Sequence, residues 1–155
     1  MYSSRLNRDI KDFDICLNYF LSLIESEYEN YNIYIPYEEI FETIKYSLFT
    51  ADKYNISMEN YVKFVTQANV AVIKYDKLNG IRAGIFLKTL IIRLCTIVDS
   101  KGEIIIVSNN FINKFNKIID NIKVLNDKKL IEYCSDLIGV RNAEILEILI
   151  KEFYP

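Results

Sequence analysis

The side chains of this sequence that come closest to a catalytic arrangement are three glutamates near the start of an apolar-periodic stretch. Glu38, Glu39 and Glu42 lie close together, and paired carboxylates can serve as general acid and base. Acidic side chains are also favourable at the positively polarised start of a helix, and we interpret all three in that way. Histidine is absent, so neither a Ser-His-Asp triad nor a Cys-His pair can form within the chain.

The cysteines are the next candidates for chemistry. Cys16, Cys95 and Cys134 are widely spaced in apolar surroundings, which is typical of neither a disulfide framework nor a metal site. Burial raises the pKa of a thiol and makes it inert. We expect three buried free thiols in a reducing compartment.

Phosphate and nucleic-acid recognition find little support in the sequence. There is no GxxxxGK[ST] loop and no GxGxxG motif. A possible basic stripe is interrupted by acidic residues, and the formal net charge is -2, so no overall field attracts nucleic acid. The lysines concerned are Lys114, Lys117, Lys123, Lys128 and Lys129. We expect no enzymatic activity, no cofactor, no metal and no nucleic-acid partner.

Tyrosines recur at every third residue before and into the second predicted helix. Tyr28, Tyr31, Tyr34 and Tyr37 form this series, and exposed tyrosine clusters are favoured at protein interfaces. Alternatively, they cover the edge of a small core and reflect the tyrosine-rich composition.

The elements that position these residues are predicted to be helices. Only four Gly and two Pro punctuate 155 residues, of which 51% are hydrophobic, and apolar residues recur at helical spacing. The fold class is therefore all-α: one domain over residues 1–155, a compact bundle of about seven helices with its core at about residues 9–153. The predicted helices cover residues 9–26, 36–53, 57–75, 81–99, 109–125, 126–138 and 143–153.

One helix is predicted to lie at the centre of the bundle. Residues 81–99 are apolar on nearly every face, as is typical of a helix packed on several sides. We expect Ser100-Lys-Gly to end it with a left-handed cap. Residues 103–107 fit either a strand or a helix start, and we favour an extended connection or short strand.

Membrane insertion is not expected. The most apolar stretch, residues 83–98, is interrupted by Lys88 and Arg93 and is too short for a confident span. The N-terminus has no signal-type apolar run, and no hydrophobic tail ends the chain. These features favour a cytoplasmic location.

The start of the predicted central helix resembles Bcl-2-like proteins. Leu-Asn-Gly-Ile-Arg at residues 78–82 opens an apolar segment that ends in Arg93-Leu94-Cys95. The family has Asn-Trp-Gly-Arg at the corresponding place. Asn79 and Arg82 match, whereas Gly80 stands at the Trp position and Ile81 at the Gly position. Helix order and apolar pattern over about residues 9–134 resemble the diverged, tailless Bcl-2-like proteins of poxviruses.

The resemblance implies a viral, intracellular inhibitor of host innate-immune signalling (NF-κB or interferon induction) or of apoptosis. It implies a groove beside the central helix for an amphipathic partner helix, with Arg82 pairing with an acidic ligand residue, and it implies homodimers in many members. The candidate partner-binding residues are Asn79, Gly80, Arg82, Phe86, Tyr61, Phe64, Tyr31 and Tyr34.

The sequence leaves two other classes of function open. One is a helical nucleic-acid-associated or assembly subunit from a bacterium, archaeon or phage, which a continuous lysine stripe over residues 109–129 would favour. The other is an enzyme that works with carboxylates alone. The first expectation remains a non-enzymatic protein-binding module.

Overall fold

The chain folds mainly into helices. The computed structural model describes Asn18, Ser22 and residues 35–107, 110–124 and 127–155. Within these residues, six helices and one two-stranded antiparallel sheet follow one another along the chain. They are α1 (Tyr37–Lys53), α2 (Met58–Tyr75), α3 (Gly80–Cys95), β1 (Thr96–Val98), β2 (Ile104–Val107), α4 (Phe111–Ile122), α5 (Asp127–Ile138) and α6 (Val140–Phe153). This confirms the expectation of a mostly helical protein.

The helix predicted at residues 9–26 lies almost wholly outside the described residues. Asn18 and Ser22 are described, and both are helical. Outside the described residues there also lie Cys16, Tyr28, Tyr31 and Tyr34. The predictions made for them remain predictions.

Side-chain caps set two of the helix starts. The Ser57 hydroxyl accepts a hydrogen bond from the backbone N–H of Asn60 at 3.2 Å, as a serine N-cap does. The Asn79 side chain caps α3 in the same way, by accepting from the N–H of Arg82 at 3.0 Å. These local contacts fix the first turns of α2 and α3.

The predicted end of α3, at residue 99, is wrong. α3 stops at Cys95, and the next three residues form β1. Thr96 pairs with Val107 and Ile97 with Ile106 in the antiparallel ladder. Branched side chains suit a strand as well as a helix, and here pairing with a second branched run prevails. The preference for a short strand at residues 103–107 is confirmed.

The turn between these strands explains why the helix cannot continue. The Asp99 carboxylate accepts hydrogen bonds from the N–H groups of Lys101 and Glu103, at 2.8 and 3.0 Å. Gly102 adopts φ +81, a conformation that glycine takes without steric cost. Gly102 therefore serves a hairpin turn rather than the helix cap predicted for it.

The core lies where α3 meets the other helices. α3 contacts α1, α2, α4 and α5, and Phe86, Leu87 and Leu90 on it are completely buried. The opposite face of α3 is open, since Ile81 and Ile85 are 40% and 36% exposed. α3 is thus the most widely packed helix of the described residues, but it is not surrounded.

Candidate functional site

Three of the predicted partner-binding residues are part of the core. Phe86 is fully buried, and Tyr61 and Phe64 are almost so. The Phe64 ring makes edge-to-face contacts with Phe111 and Phe115, at centroid distances of 5.3 and 5.0 Å. A partner could contact these side chains only if the fold opened, so their role in this structure is to hold helices together.

Gly80 is also a packing residue. A Cβ at this position would lie 2.0 Å from the carbonyl oxygen of Glu39, so only glycine fits without moving α1. The Gly80 N–H donates to the Glu39 carboxylate. The predicted ligand-binding glycine is therefore covered by α1.

Gly84, one turn further along α3, continues this close approach. A Cβ there would lie 2.7 Å from Tyr46 Cβ and 2.9 Å from the Thr43 carbonyl oxygen. Contacts advance in the same direction on both helices, from Glu39 with Gly80 to Tyr46 with Gly84, so α1 and α3 run parallel. The four-residue spacing of the two glycines was a signal in the sequence that our sequence analysis missed.

A buried polar seam completes the junction of α1, α2 and α3. The Thr43 hydroxyl donates to the carbonyl oxygen of Gly80 at 2.9 Å and accepts from Asn69 Nδ2 at 3.2 Å. Ser47 Oγ lies 2.7 Å from the Tyr61 hydroxyl. Each of these buried groups has a partner, and a satisfied network of this kind supports structure rather than catalysis.

Asn79 and Arg82 remain accessible at the start of α3. The Asn79 side chain is occupied as the helix cap. Arg82 is half-buried, and no ion pair is seen for it within the described part of the chain. Arg82 is thus the one member of the predicted set, among those described, whose charge is still available to a partner.

The described residues offer little for catalysis. They contain no group of three or more Cys, Asp or Glu side chains that could hold a metal ion. Burial raises the pKa of the Cys134 thiol to about 11, with Glu147 adding to the shift. Burial also raises the pKa of Cys95, against the opposing charge of Lys114. Neither thiol is disposed to form the reactive thiolate.

A small pocket opens between the end of α1 and the start of α2. It measures about 190 Å³ and is lined in part by Leu48, Ile56 and Met58. Ligand pockets commonly span about 300–1,000 Å³. This pocket is too small to identify the chain as a small-molecule binder.

The lysines predicted as a possible stripe are interspersed with acid. Lys117 and Lys123 are exposed on α4 and just after it, and Asp120 is exposed between them. Glu132 and Asp136 are exposed on α5. No continuous basic surface therefore arises over the described part of α4 and α5.

The outer side of α1 and α3 carries two parallel stripes of side chains, of which six are exposed and two, Glu42 and Ile92, are half-buried. Residues at i, i+4, i+7 and i+11 lie on one face of a helix, and each stripe has this spacing. The α1 stripe comprises Glu42, Tyr46, Phe49 and Lys53, and the α3 stripe comprises Ile81, Ile85, Lys88 and Ile92. We call these eight residues the α1–α3 face.

The two stripes form one continuous surface. Tyr46 lies against Gly84, which is flanked on α3 by Ile81 and Ile85. Tyr46 and Phe49 are 41% and 46% exposed. Single exposed apolar side chains are ordinary, but a contiguous group of them marks an interaction surface.

The comparisons with known proteins leave this surface to be interpreted from its own geometry. No family model, no curated protein and no solved structure matches the chain. In the described residues, no helix combines the length and apolar character needed to cross a membrane.

Proposed function

We propose that this chain is a non-enzymatic protein-binding module and that the α1–α3 face is its contact surface. The supporting observation is the exposed apolar group Tyr46, Phe49, Ile81 and Ile85 on two helices that glycine packing holds together. Aromatic residues at the centre of such a patch contribute most of the binding energy in protein interfaces. The face is built on rigid elements, so it needs little ordering upon binding.

Charge narrows the kind of partner. All charged residues within Gly80–Cys95 are basic: Arg82, Lys88 and Arg93. Arg93 is engaged, because its Nε donates to the carbonyl oxygen of Leu137 at 2.8 Å. An amphipathic partner helix with acidic residues beside its apolar anchors would complement Ile81 and Ile85 together with Arg82 and Lys88.

The narrower form of this proposal is a viral, cytoplasmic, Bcl-2-like inhibitor of host innate-immune signalling or apoptosis. Support comes from the wide packing of α3 and from Asn79 and Arg82 at its start. The β1–β2 hairpin after α3 and the covering of Gly80 by α1 distinguish this chain from that pattern. If the narrower form holds, expression of the chain lowers an NF-κB or interferon reporter, or protects cells from apoptosis.

The binding proposal is tested with two charge-inserting variants. Ile81→Glu combined with Ile85→Glu places carboxylates on the α1–α3 face, whereas Val124→Glu combined with Val140→Glu places them elsewhere. Val124 and Val140 are 83% and 61% exposed, and exposed substitutions usually change stability by less than about 0.5 kcal/mol. Circular dichroism checks that both double variants remain folded.

The readout is the set of proteins cross-linked to each variant in transfected cells. We expect the wild type and the control variant to retain the same defined partner and the α1–α3 face variant to lose it. Equal recovery with all three proteins contradicts the assignment of the face. Recovery of nucleic acid in place of any protein contradicts the function itself.

A further inference from the structure

The α1–α3 face is self-complementary, and we propose that a second copy of this chain occupies it. The proposal rests on the α1–α3 face being a binding surface, and the second copy covers this face when the acidic partner helix is absent. The observation behind it is the order of side chains along α1, which reads acidic, aromatic, aromatic, basic in Glu42, Tyr46, Phe49 and Lys53.

This order matches itself when a second helix runs in the opposite direction. With α1 antiparallel to α1 of the second copy, Glu42 meets Lys53, and Tyr46 meets Phe49. The two-fold axis that creates the pair then repeats both contacts, as in any isologous interface. Two ion pairs thus flank two aromatic contacts.

The same axis also serves α3. Contacts of Gly80 with Glu39 and of Gly84 with Tyr46 place the middle of the α1 stripe level with the middle of the α3 stripe. Ile81 of one copy then meets Ile92 of the other, and Ile85 meets the aliphatic stem of Lys88. One rotation therefore pairs the apolar residues of the α3 stripe as well as the opposite charges of the α1 stripe.

The charges are available for this contact. Glu42 and Lys53 are eleven residues apart on one helix, about 16 Å at 1.5 Å per residue, so they cannot pair within one copy. No ion pair is seen for either within the described ranges. Lys53 Nζ lies 5.7 Å from the Tyr54 ring, and the Lys53 side chain is exposed.

The size of the face indicates a weak dimer. Two helices of this length cover on the order of 25 by 18 Å, or about 450 Å² per copy. The total is below the roughly 1,200 Å² at which standard specific interfaces begin. We therefore expect a concentration-dependent equilibrium between one copy and two.

Charge reversal gives the decisive experiment. Glu42→Lys creates two Lys–Lys contacts and Lys53→Glu two Glu–Glu contacts, so each variant should raise the dissociation constant about tenfold. An equimolar mixture of the two should form a heterodimer with wild-type affinity, because both contacts become oppositely charged again. The combined variant Glu42→Lys/Lys53→Glu should also recover as a homodimer.

Sedimentation equilibrium of the whole chain over a range of concentrations measures these constants. Lys117→Glu, on α4, and Glu132→Lys, on α5, are exposed controls that should leave dimerisation unchanged. A chain that stays monomeric at every concentration overturns the proposal, as does a dimer that both reversals leave unaffected.

This inference and the proposed function fail separately. A monomeric chain that still loses its cellular partner through Ile81→Glu/Ile85→Glu refutes the dimer and keeps the binding module. If the dimer follows the charge-reversal pattern but no other protein is cross-linked to the chain in cells, the dimer is supported and binding to a different protein is refuted.

Discussion

Replacement of Gly84 by alanine sets two physical effects against each other. Within a helix, alanine is favoured over glycine by about 0.8–1.0 kcal/mol, so helix propensity alone predicts a more stable protein. The structure predicts the opposite. The new Cβ would lie 2.7 Å from Tyr46 Cβ and 2.9 Å from the Thr43 carbonyl oxygen, both closer than a van der Waals contact allows.

The magnitude follows from the difference of these effects. Insertion of a methyl group into a closely packed site costs about 1–3 kcal/mol. After subtraction of the propensity gain, we expect Gly84→Ala to lower the free energy of unfolding by up to about 2 kcal/mol. Gly80→Ala should cost more, because its Cβ would lie 2.0 Å from a backbone oxygen that no side-chain rotation can move.

Urea denaturation followed by circular dichroism measures these free energies. Gly102→Ala is a useful comparison, because a Cβ there meets nothing within 4 Å while φ is +81. Its cost therefore reports backbone strain without a clash. An unfolding free energy for Gly84→Ala equal to or above that of the wild type would refute close helix packing as the reason for this glycine.

Two further predictions concern the buried groups. Thr43→Val leaves Asn69 Nδ2 and the Gly80 carbonyl oxygen without their Thr43 partner, so we expect a loss of about 1–3 kcal/mol in urea denaturation. Thr66→Val, which removes only a bond within its own helix, should cost less, and equal losses would contradict a role for the seam. The second concerns Cys134, whose folded-state pKa of about 11 lies above the ordinary value of 9.0. Its stabilising contribution is present below pH 9.0 and is lost as pH rises toward 11. Wild-type stability should therefore fall more steeply than that of Cys134→Ala over this interval, and parallel curves would contradict it.

Local features of the fold could be predicted because their cause lies in a few neighbouring residues. Ser57 caps α2 through an N–H three residues away. Gly139 separates α5 from α6 with φ +90, which suits glycine. Such contacts depend little on the rest of the molecule.

The end of α3 could not be predicted in the same way. Residues 96–98 continue the apolar run of α3, so periodicity alone extends the helix through them. Their strand conformation depends on Ile104–Val107, the other half of the hairpin. The hydrogen bonds that the Asp99 carboxylate accepts from Lys101 and Glu103 close the turn and favour the strand conformation.

The residues of the candidate site also depend on contacts that are distant in the sequence. Tyr61, Phe64 and Phe86 are aromatic residues that suit either an interface or a core. These three side chains are buried against other helices and therefore belong to the core. Their burial depends on residues that are distant in the sequence, so the sequence pattern alone does not show it.

The sequence by itself determined that this chain is mostly helical, that α3 is apolar on most faces, and that a histidine-based active site is absent. Only the tertiary structure decided which apolar residues of α3 face solvent. Helical spacing places Ile81 and Ile85 on one side and Phe86 and Leu87 toward the others, but it does not say which side is covered. Contact of α1 with Gly80 and Gly84 settles that question, because close approach is possible only where no Cβ stands in the way.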